Sequence, residues 1–168
     1  SETTPTEPIS NYGRLKAEAE RIVAAAQVPS ITLRLANVYG ARQRRDLEGG
    51  VIAIFLGRWR AGEPLVVYGD GSAERDYVYV EDVADAVTSS FAGRWRGTYN
   101  IGTGVATSVS ELIAAMAKVL GPPPGIMRAP ERPGEIGRSC VDASKAARDG
   151  LWRPNTTLTE GLRRTAAA

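Results

Sequence analysis

Tyr12 and Lys16 stand four residues apart in Ser10-Asn11-Tyr12-Gly13-Arg14-Leu15-Lys16. On a helix that spacing puts both side chains on one face, about one turn apart. Such a pair can turn a phenol into a base. Tyrosine has an ordinary pKa of about 10 and is protonated at neutral pH, but a neighbouring ammonium favours the phenolate. Lowering the pKa by about three units takes roughly 4 kcal/mol, which one lysine, a bound cationic nicotinamide ring and a dry site can supply together. The pair would pass a proton to or from a substrate hydroxyl while a hydride moves to or from a cofactor. A surface helix with a solvated lysine has the same spacing, so the motif alone does not decide.

The residue types that are missing narrow the chemistry. The sequence has no histidine, which excludes Ser-His-Asp triads, histidine general bases and His-ligated zinc. Its single cysteine, Cys140, excludes an internal disulfide and any Cys-cluster metal site; in Arg138-Ser139-Cys140-Val141 it reads as a small buried strand residue. Tyr, Lys, Arg, Asp, Glu, Ser and Thr remain, with an organic cofactor. The hydrophobic fraction is 43% and the charged fraction 24%, as in soluble globular domains, and no apolar run approaches a membrane span. These residues are read as carrying no secretory signal. The net charge is +2, with arginines spread between acids, which argues against a nucleic-acid partner. A length of 168 residues is that of one domain or part of a larger unit.

The elements that must position the pair follow from periodicity and caps. Ser1 to Pro8 reads as loop. Leu15, Ala19, Ile22, Val23 and Ala26 recur at helical spacing, which predicts an amphipathic helix from Asn11 to Ala26 that stops before Pro29. Ile31 to Asn37 alternates as a strand and empties into a loop at Val38-Tyr39-Gly40. Ala41 to Glu48 is charged and mobile-looking, and Gly49-Gly50 ends it. Val51 to Ala61 is a helix closed by Gly62, and Leu65 to Tyr68 a strand running into Gly69-Asp70-Gly71. Asp76 to Val80 alternates as a strand, and Glu81 and Asp82 supply a cap and an acidic first turn for a helix to Phe91. Thr98 to Ile101 is a short strand, and Gly102-Thr103-Gly104 is a tight turn. Ser108-Val109-Ser110-Glu111 fits a capping box whose helix ends at Gly121 before three prolines. After a loop at Pro130 to Glu135 come a strand near Arg138 to Val141, a short helix from Ala143 and a last helix opened by Thr157 to Glu160. Helix, turn and strand in this order give an α/β fold.

Read together, Ser-x-Tyr-Gly-x-x-Lys, Leu-Arg-Leu-Ala-Asn-Val-Tyr-Gly, Tyr-Gly-Asp-Gly-x-x-x-Arg-Asp-Tyr-Val-Tyr-Val-x-Asp-Val-Ala, Tyr-Asn-Ile-Gly-Thr-Gly, Arg-Pro-Gly-Glu and Trp-Arg-Pro resemble the extended short-chain dehydrogenase/reductase family of nucleotide-sugar epimerases and dehydratases. The resemblance implies NAD as cofactor, with Tyr12 the acid-base residue and Lys16 on the nicotinamide ribose. Asn37 would touch the sugar nucleotide's phosphates, and Arg75 and Arg132 would hold the pyrophosphate, for which a planar fork of donors is suited. Val66 and Tyr68 would lie against the base, with Gly50 and Val51 lining the same pocket, and Glu135 would accept from a ribose hydroxyl. Alternatively, Arg75 and Arg132 are solvated or paired with Asp76 and Glu131. The implied partner is a nucleotide-sugar such as UDP-glucose or UDP-galactose, and the implied setting a cytoplasmic homodimer of carbohydrate metabolism.

The sequence departs from the family in having no G-x-G-x-x-G, because position 107 after Gly102-Thr103-Gly104 is a threonine, and in starting close to the tyrosine helix. It looks like the C-terminal part of a Rossmann-like enzyme. Residues 1–40 would be the end of the dinucleotide-binding domain, its catalytic helix and following strand, and 41–168 a smaller mixed α/β substrate domain with room for segments that return to the sheet, with a front segment carrying most NAD contacts and the isolated chain sticky. Leu15 replaces the usual small hydroxyl residue, and Gly150-Leu151-Trp152 inverts the common Leu-Gly-Trp. The strand Asp76 to Val80 looks more like epimerases than dehydratases, which points to 4-epimerisation through transient oxidation at C4. A 4,6-dehydratase, a decarboxylase or a reductase of the same family remains an alternative. Outside that class, the chain would be a non-catalytic nucleotide-sugar binding module or half of a split enzyme.

Overall fold

The computed structural model describes residues 1–44, 50–92 and 95–168. Helix α1 (Asn11–Ala25) is opened by Ser10, whose hydroxyl accepts from the Gly13 N–H at 3.1 Å. None of its residues is buried, and Tyr12 and Leu15 are 69% and 72% exposed, so the apolar stripe read from the sequence lies uncovered. Arg34 of β1 (Ile31–Leu35) ties this helix to the sheet, with Nη2 and Nε gripping the Glu20 carboxylate at 2.7 and 2.9 Å.

The expected strand from Ile31 to Asn37 resolves into two, and the loop expected at Val38-Tyr39 is strand. β1 pairs in parallel with β5 (Gly97–Ile101), whereas β2 (Asn37–Tyr39) pairs in parallel with β4 (Glu74–Tyr79). The change of partner falls at Ala36, whose N–H still donates to the Ile101 carbonyl at 2.8 Å. Beyond it Tyr39 is buried against Tyr77 and Tyr79 with rings edge to face, a packing that requires the chain to stay extended. The turn at residues 41–44 follows; the rest of the charged stretch, 45–48, and Gly49 lie outside the described residues.

Helix α2 (Val51–Ala61) ends as expected at Gly62, which takes the left-handed conformation (φ 68°) and donates back to the Arg58 and Trp59 carbonyls. Strand β3 (Leu65–Tyr68) follows. It pairs in parallel with β7 (Ile126–Ala129), a strand not apparent in the sequence because most of it is exposed and carries no alternation. β4 also pairs antiparallel with β6 (Ala106–Ser108) and parallel with β8 (Arg138–Ser139). Helix α3 (Val80–Ala92) leads off β4, and α4 (Val109–Leu120) carries the expected capping box, with the Ser108 hydroxyl and Glu111 bonded reciprocally. Helices α5 (Ser144–Arg148) and α6 (Leu158–Ala167) finish the chain, the latter capped by Thr157.

β4 separates two apolar clusters. Tyr77 and Tyr79 pack with Ile52, Phe55, Leu65, Leu112 and Leu162 on one side; Val78 packs with Trp95, Ile101 and Trp152 on the other. A strand covered on both faces is a period-2 element with both registers apolar.

Glu81 and Asp82 make the acidic first turn of α3 as expected, but Asp82 does not cap the helix. Its carboxylate is 3% exposed and accepts from the N–H groups of Asn155 (3.2 Å) and Thr156 (2.9 Å) and from the Thr156 hydroxyl (3.0 Å), while its carbonyl accepts from Trp152 Nε1 at 2.8 Å. An acid in a first turn reads locally as a cap; here a stretch more than seventy residues away in sequence supplies better donors. Among the described residues no helix is long and apolar enough to cross a membrane, and no group of three metal-ligating side chains occurs.

Truncating Asp82 to alanine would leave two backbone donors and a hydroxyl unpaired, each bond to the carboxylate contributing about 1.5–3 kcal/mol. Asp82→Ala is therefore expected to lower the unfolding free energy by about 3 kcal/mol, measured by urea titration; a loss below about 0.5 kcal/mol, the size of an ordinary surface substitution, would show that the carboxylate does not anchor residues 155–156.

Candidate active site

A cavity of about 290 Å³ opens between α2, β3 and β4. From α2 it receives Val51, Ile54 and Arg58, which share one helix face at spacings of three and four. From β4 it receives Arg75 and Tyr77, while Asp76 between them points to the other face of the strand, as period 2 requires.

Asp76 holds that register. It is 1% exposed and accepts from the Thr103 N–H (2.9 Å), the Thr103 hydroxyl (2.6 Å) and the Gly104 N–H (3.0 Å). The Gly102-Thr103-Gly104 turn is thus a cradle for a protein carboxylate. Gly102 sits so close to Ala36, Asp76 and Val141 that a side chain there has no room.

β3 contributes a backbone edge. The N–H groups of Leu65 and Gly69 donate to the Gly125 and Ala129 carbonyls on the β7 side, so the alternation of a parallel ladder turns the polar backbone of Val66 and Tyr68 the other way. β3 pairs with no second strand among the described residues, and Val66 and Tyr68 line the cavity.

The turn Arg132-Pro133-Gly134-Glu135 closes the rim. The Glu135 N–H donates to the Arg132 carbonyl at 3.2 Å, and Gly134 has φ 75°, a value that glycine adopts without strain. The turn brings Arg132 and Glu135 together. The Arg132 guanidinium lies 3.9 Å from the Tyr68 ring centroid, a cation–π stack. Arg75 Nη1 donates to the Glu74 carbonyl at 2.8 Å, and Nη2 lies 3.6 Å from Glu135 Oε1. Neither arginine takes the partner offered as its alternative: Asp76 is turned away from Arg75, and Arg132 meets a ring. Three guanidiniums against one carboxylate make the lining positive, suited to an anion.

The cavity brings together Asn37, Val51, Val66, Tyr68, Arg75, Arg132 and Glu135. Gly50 is the N-cap of α2 beside Gln43 and does not line it. Tyr12 and Lys16 do not line it either. They share the expected face of α1, with Lys16 Nζ 5.3 Å from the Tyr12 ring centroid, and both are exposed. Among the lining residues that were not singled out in the sequence, two carry polar groups, Arg58 and Tyr77. Arg58 could have been found by extending the Val51 register by seven. Tyr77 is two residues beyond Arg75 on a strand, and its hydroxyl is buried with no partner among the described residues. Burial pushes its pKa up to about 12 against the lowering effect of Arg75, so it is a neutral phenol. Cys140 is half-buried, and desolvation raises its thiol, which keeps it inert at neutral pH.

The profile of the NAD dependent epimerase/dehydratase family matches residues 1–102. The chain is 37% identical over 170 residues to the UDP-glucose 4-epimerase of Mycolicibacterium smegmatis, covering 98% of this chain and 54% of that protein. It is 38% identical over 185 residues to a dTDP-glucose 4,6-dehydratase of Neisseria gonorrhoeae, covering 98% and 52%. Among solved structures it is similar to the Thermus thermophilus UDP-glucose 4-epimerase in complex with NAD, with a TM-score of 0.92, 38% identity, and coverage of 99% and 56%. The chain spans about half the length of the curated relatives it matches.

Two measurements check this geometry. Arg75→Gln and Arg132→Gln are each expected to weaken binding of inorganic pyrophosphate by about tenfold in calorimetry, the effect of one charge-assisted bond; unchanged affinity in both would remove the arginines from anion binding. A Tyr77 phenol held above the ordinary value of about 10 contributes stability that is complete below pH 10 and is lost as the pH rises through about 12. Tyr77→Phe should therefore lose less unfolding free energy than the parent between pH 8 and pH 11. Equal losses would show that this hydroxyl titrates freely.

Proposed function

We infer the function from one premise: this chain belongs to the NAD dependent epimerase/dehydratase family. We propose that it supplies the nucleotide-sugar pocket and the tyrosine–lysine pair of an NAD-dependent nucleotide-sugar 4-epimerase. The observation that carries this is the convergence of seven sequence-identified residues, scattered from Asn37 to Glu135, on one positively lined cavity.

In this reading the diphosphate lies at Arg75 and Arg132 with Asn37 beside it, two planar forks facing two phosphoryl groups. The base lies against Val66 and Tyr68, near Val51, where the edge of β3 that takes no partner strand among the described residues offers backbone donors and acceptors. Glu135 accepts from a ribose hydroxyl. Residues 1–40 belong with the dinucleotide-binding half of the enzyme, to which β5 returns by pairing with β1, and the rest of 41–168 forms the substrate half. The sugar is that of UDP-glucose or UDP-galactose, as the 4-epimerase relatives suggest, and the working form is a cytoplasmic homodimer of carbohydrate metabolism.

The residues present fit only one end of NAD. Tyr12 and Lys16, on one face of α1 with the ammonium near the ring, suit the nicotinamide ribose. No G-x-G-x-x-G in this sequence offers the pyrophosphate a glycine-rich cradle, which other residues of the complete enzyme would supply. When bound, NAD takes and returns a hydride at sugar C4. Lys16, whose ammonium stands near the Tyr12 ring, holds the ribose; Tyr12 removes the C4 hydroxyl proton as the C4–H bond breaks. After the keto-sugar turns over, Tyr12 returns the proton to the new alkoxide. Arg75 and Arg132 keep the diphosphate fixed while the sugar rotates.

The 38% identity to a dTDP-glucose 4,6-dehydratase supports a second reading in which the same oxidation is followed by loss of water across C5 and C6. Product analysis separates the two: a 4-epimer or a 4-keto-6-deoxy sugar. A binding module without catalysis would take up the UDP-sugar with no dependence on NAD.

The test is Tyr12→Phe in the complete enzyme. Turnover is expected to fall by about a thousandfold, the scale of a lost general acid-base, with UDP-glucose affinity changed by less than about twofold, as for an interaction made only in the transition state. Wild-type turnover in that variant would overturn the assignment of Tyr12.

A further inference from the structure

Helix α2 brings a third guanidinium, that of Arg58, to the cavity. Its position is set at two points. Arg58 lies two turns beyond Val51 and one beyond Ile54 on the cavity face, and its Nη1 donates to the Pro64 carbonyl at 3.0 Å. The nearest carboxylate, Glu63 Oε2, is 3.8 Å from that same Nη1 and largely exposed. Nε and Nη2 make no hydrogen bond among the described residues, although the side chain is about two-thirds covered.

The three arginines are not clustered. Arg132 is stacked on Tyr68, and Arg75 lies beside Glu135. Arg58 is fixed at Pro64, before the start of β3. Four residues of extended chain span roughly 13 Å, so Arg58 and Arg132 stand at opposite ends of the β3 edge. That span suits a nucleoside with its diphosphate at one end and the outer edge of its base at the other. A guanidinium has five N–H donors and no acceptor. It rewards an exocyclic carbonyl and leaves an exocyclic amino group facing a cation with its own donor unpaired.

We propose that Arg58 is a specificity-determining residue that donates from Nε or Nη2 to the C4 carbonyl of a uracil or thymine base, the position at which cytosine carries an amino group, and so rejects cytosine. The inference rests on the nucleotide-sugar reading of this cavity. Val66 and Tyr68 offer backbone groups that can pair with the imide of such a base, but a strand edge presents donors and acceptors alike and can also accommodate an amino-pyrimidine. The choice between oxygen and nitrogen at that corner therefore falls to Arg58. Its Nη1 bond to Pro64 keeps the fork from turning to suit both.

The experiment is calorimetric titration of the complete enzyme with UDP, dTDP and CDP, for the parent, Arg58→Met and Arg58→Lys. The parent is expected to bind UDP and dTDP at least about tenfold more tightly than CDP, the discrimination of one charge-assisted bond. Arg58→Met keeps the stem and removes the donors; it should bring the three affinities to within about twofold by weakening UDP and dTDP, and Arg58→Lys should fall between. Inorganic pyrophosphate is the control for a folded pocket: Arg58→Lys should bind it as the parent does, and Arg58→Met with no more than about a twofold loss from the charge removed from the lining. A parent without preference, or an Arg58→Met variant that keeps the parental preference, overturns the role of Arg58 and leaves the nucleotide reading standing. A parent that binds none of the three nucleotides overturns that reading as well.

Discussion

The carboxylate of Asp76 is the contact on which the site depends. A buried charge is tolerated only when its hydrogen-bonding capacity is filled, and Asp76 is filled by the turn that follows β5. That fixes which face of β4 looks inward to the second cluster. By the pleat of a strand, the residues on either side, Arg75 and Tyr77, must then face the cavity. If β4 slipped by one residue, a charged carboxylate would lie in the anion site and an arginine in the core. Asp82 acts similarly one element later, binding the segment before α6 to the start of α3, so two buried acids hold the strand from both ends.

Around that strand the cavity is organised by cations that are held before any ligand arrives. Arg132 is laid flat on a tyrosine ring, Arg75 is drawn to a carboxylate and a carbonyl, and Arg58 is pinned to the chain ahead of β3. Each keeps some donors for a ligand. Restricting long side chains in advance lowers the entropy lost on binding, and their separation along the β3 edge gives an extended ligand a direction. The tyrosine–lysine pair is arranged differently: it sits on a helix with no buried residue, close enough for the ammonium to act on the ring but outside the cavity lining. Under the proposed function, binding and proton transfer would be carried by separate elements.

Much of this was legible in the sequence, and the reason is distance along the chain. The Ser108–Glu111 capping box, the Gly62 terminus of α2 and the face shared by Tyr12 and Lys16 depend on residues no more than four apart, and appear where the pattern put them. The family motifs named seven residues of the cavity because each motif sits at the end of a strand or in a turn, where chemistry-bearing side chains are exposed to a ligand.

Pairings across the chain were not legible. The switch of the chain at Ala36 from β5 to β4, the strand β7, the use of Asp82 as an anchor instead of a cap, the meeting of Arg75 with Glu135 instead of its neighbour Asp76, and the arrival of Arg58 beside β3 all join residues that no local rule connects. The sequence by itself determined the helices and their ends, because propensity, capping and periodicity act over one or two turns. Only the tertiary structure decided which carboxylate neutralises which donor, because a buried charge settles on the set of donors that the whole packed chain brings within about 3 Å of it.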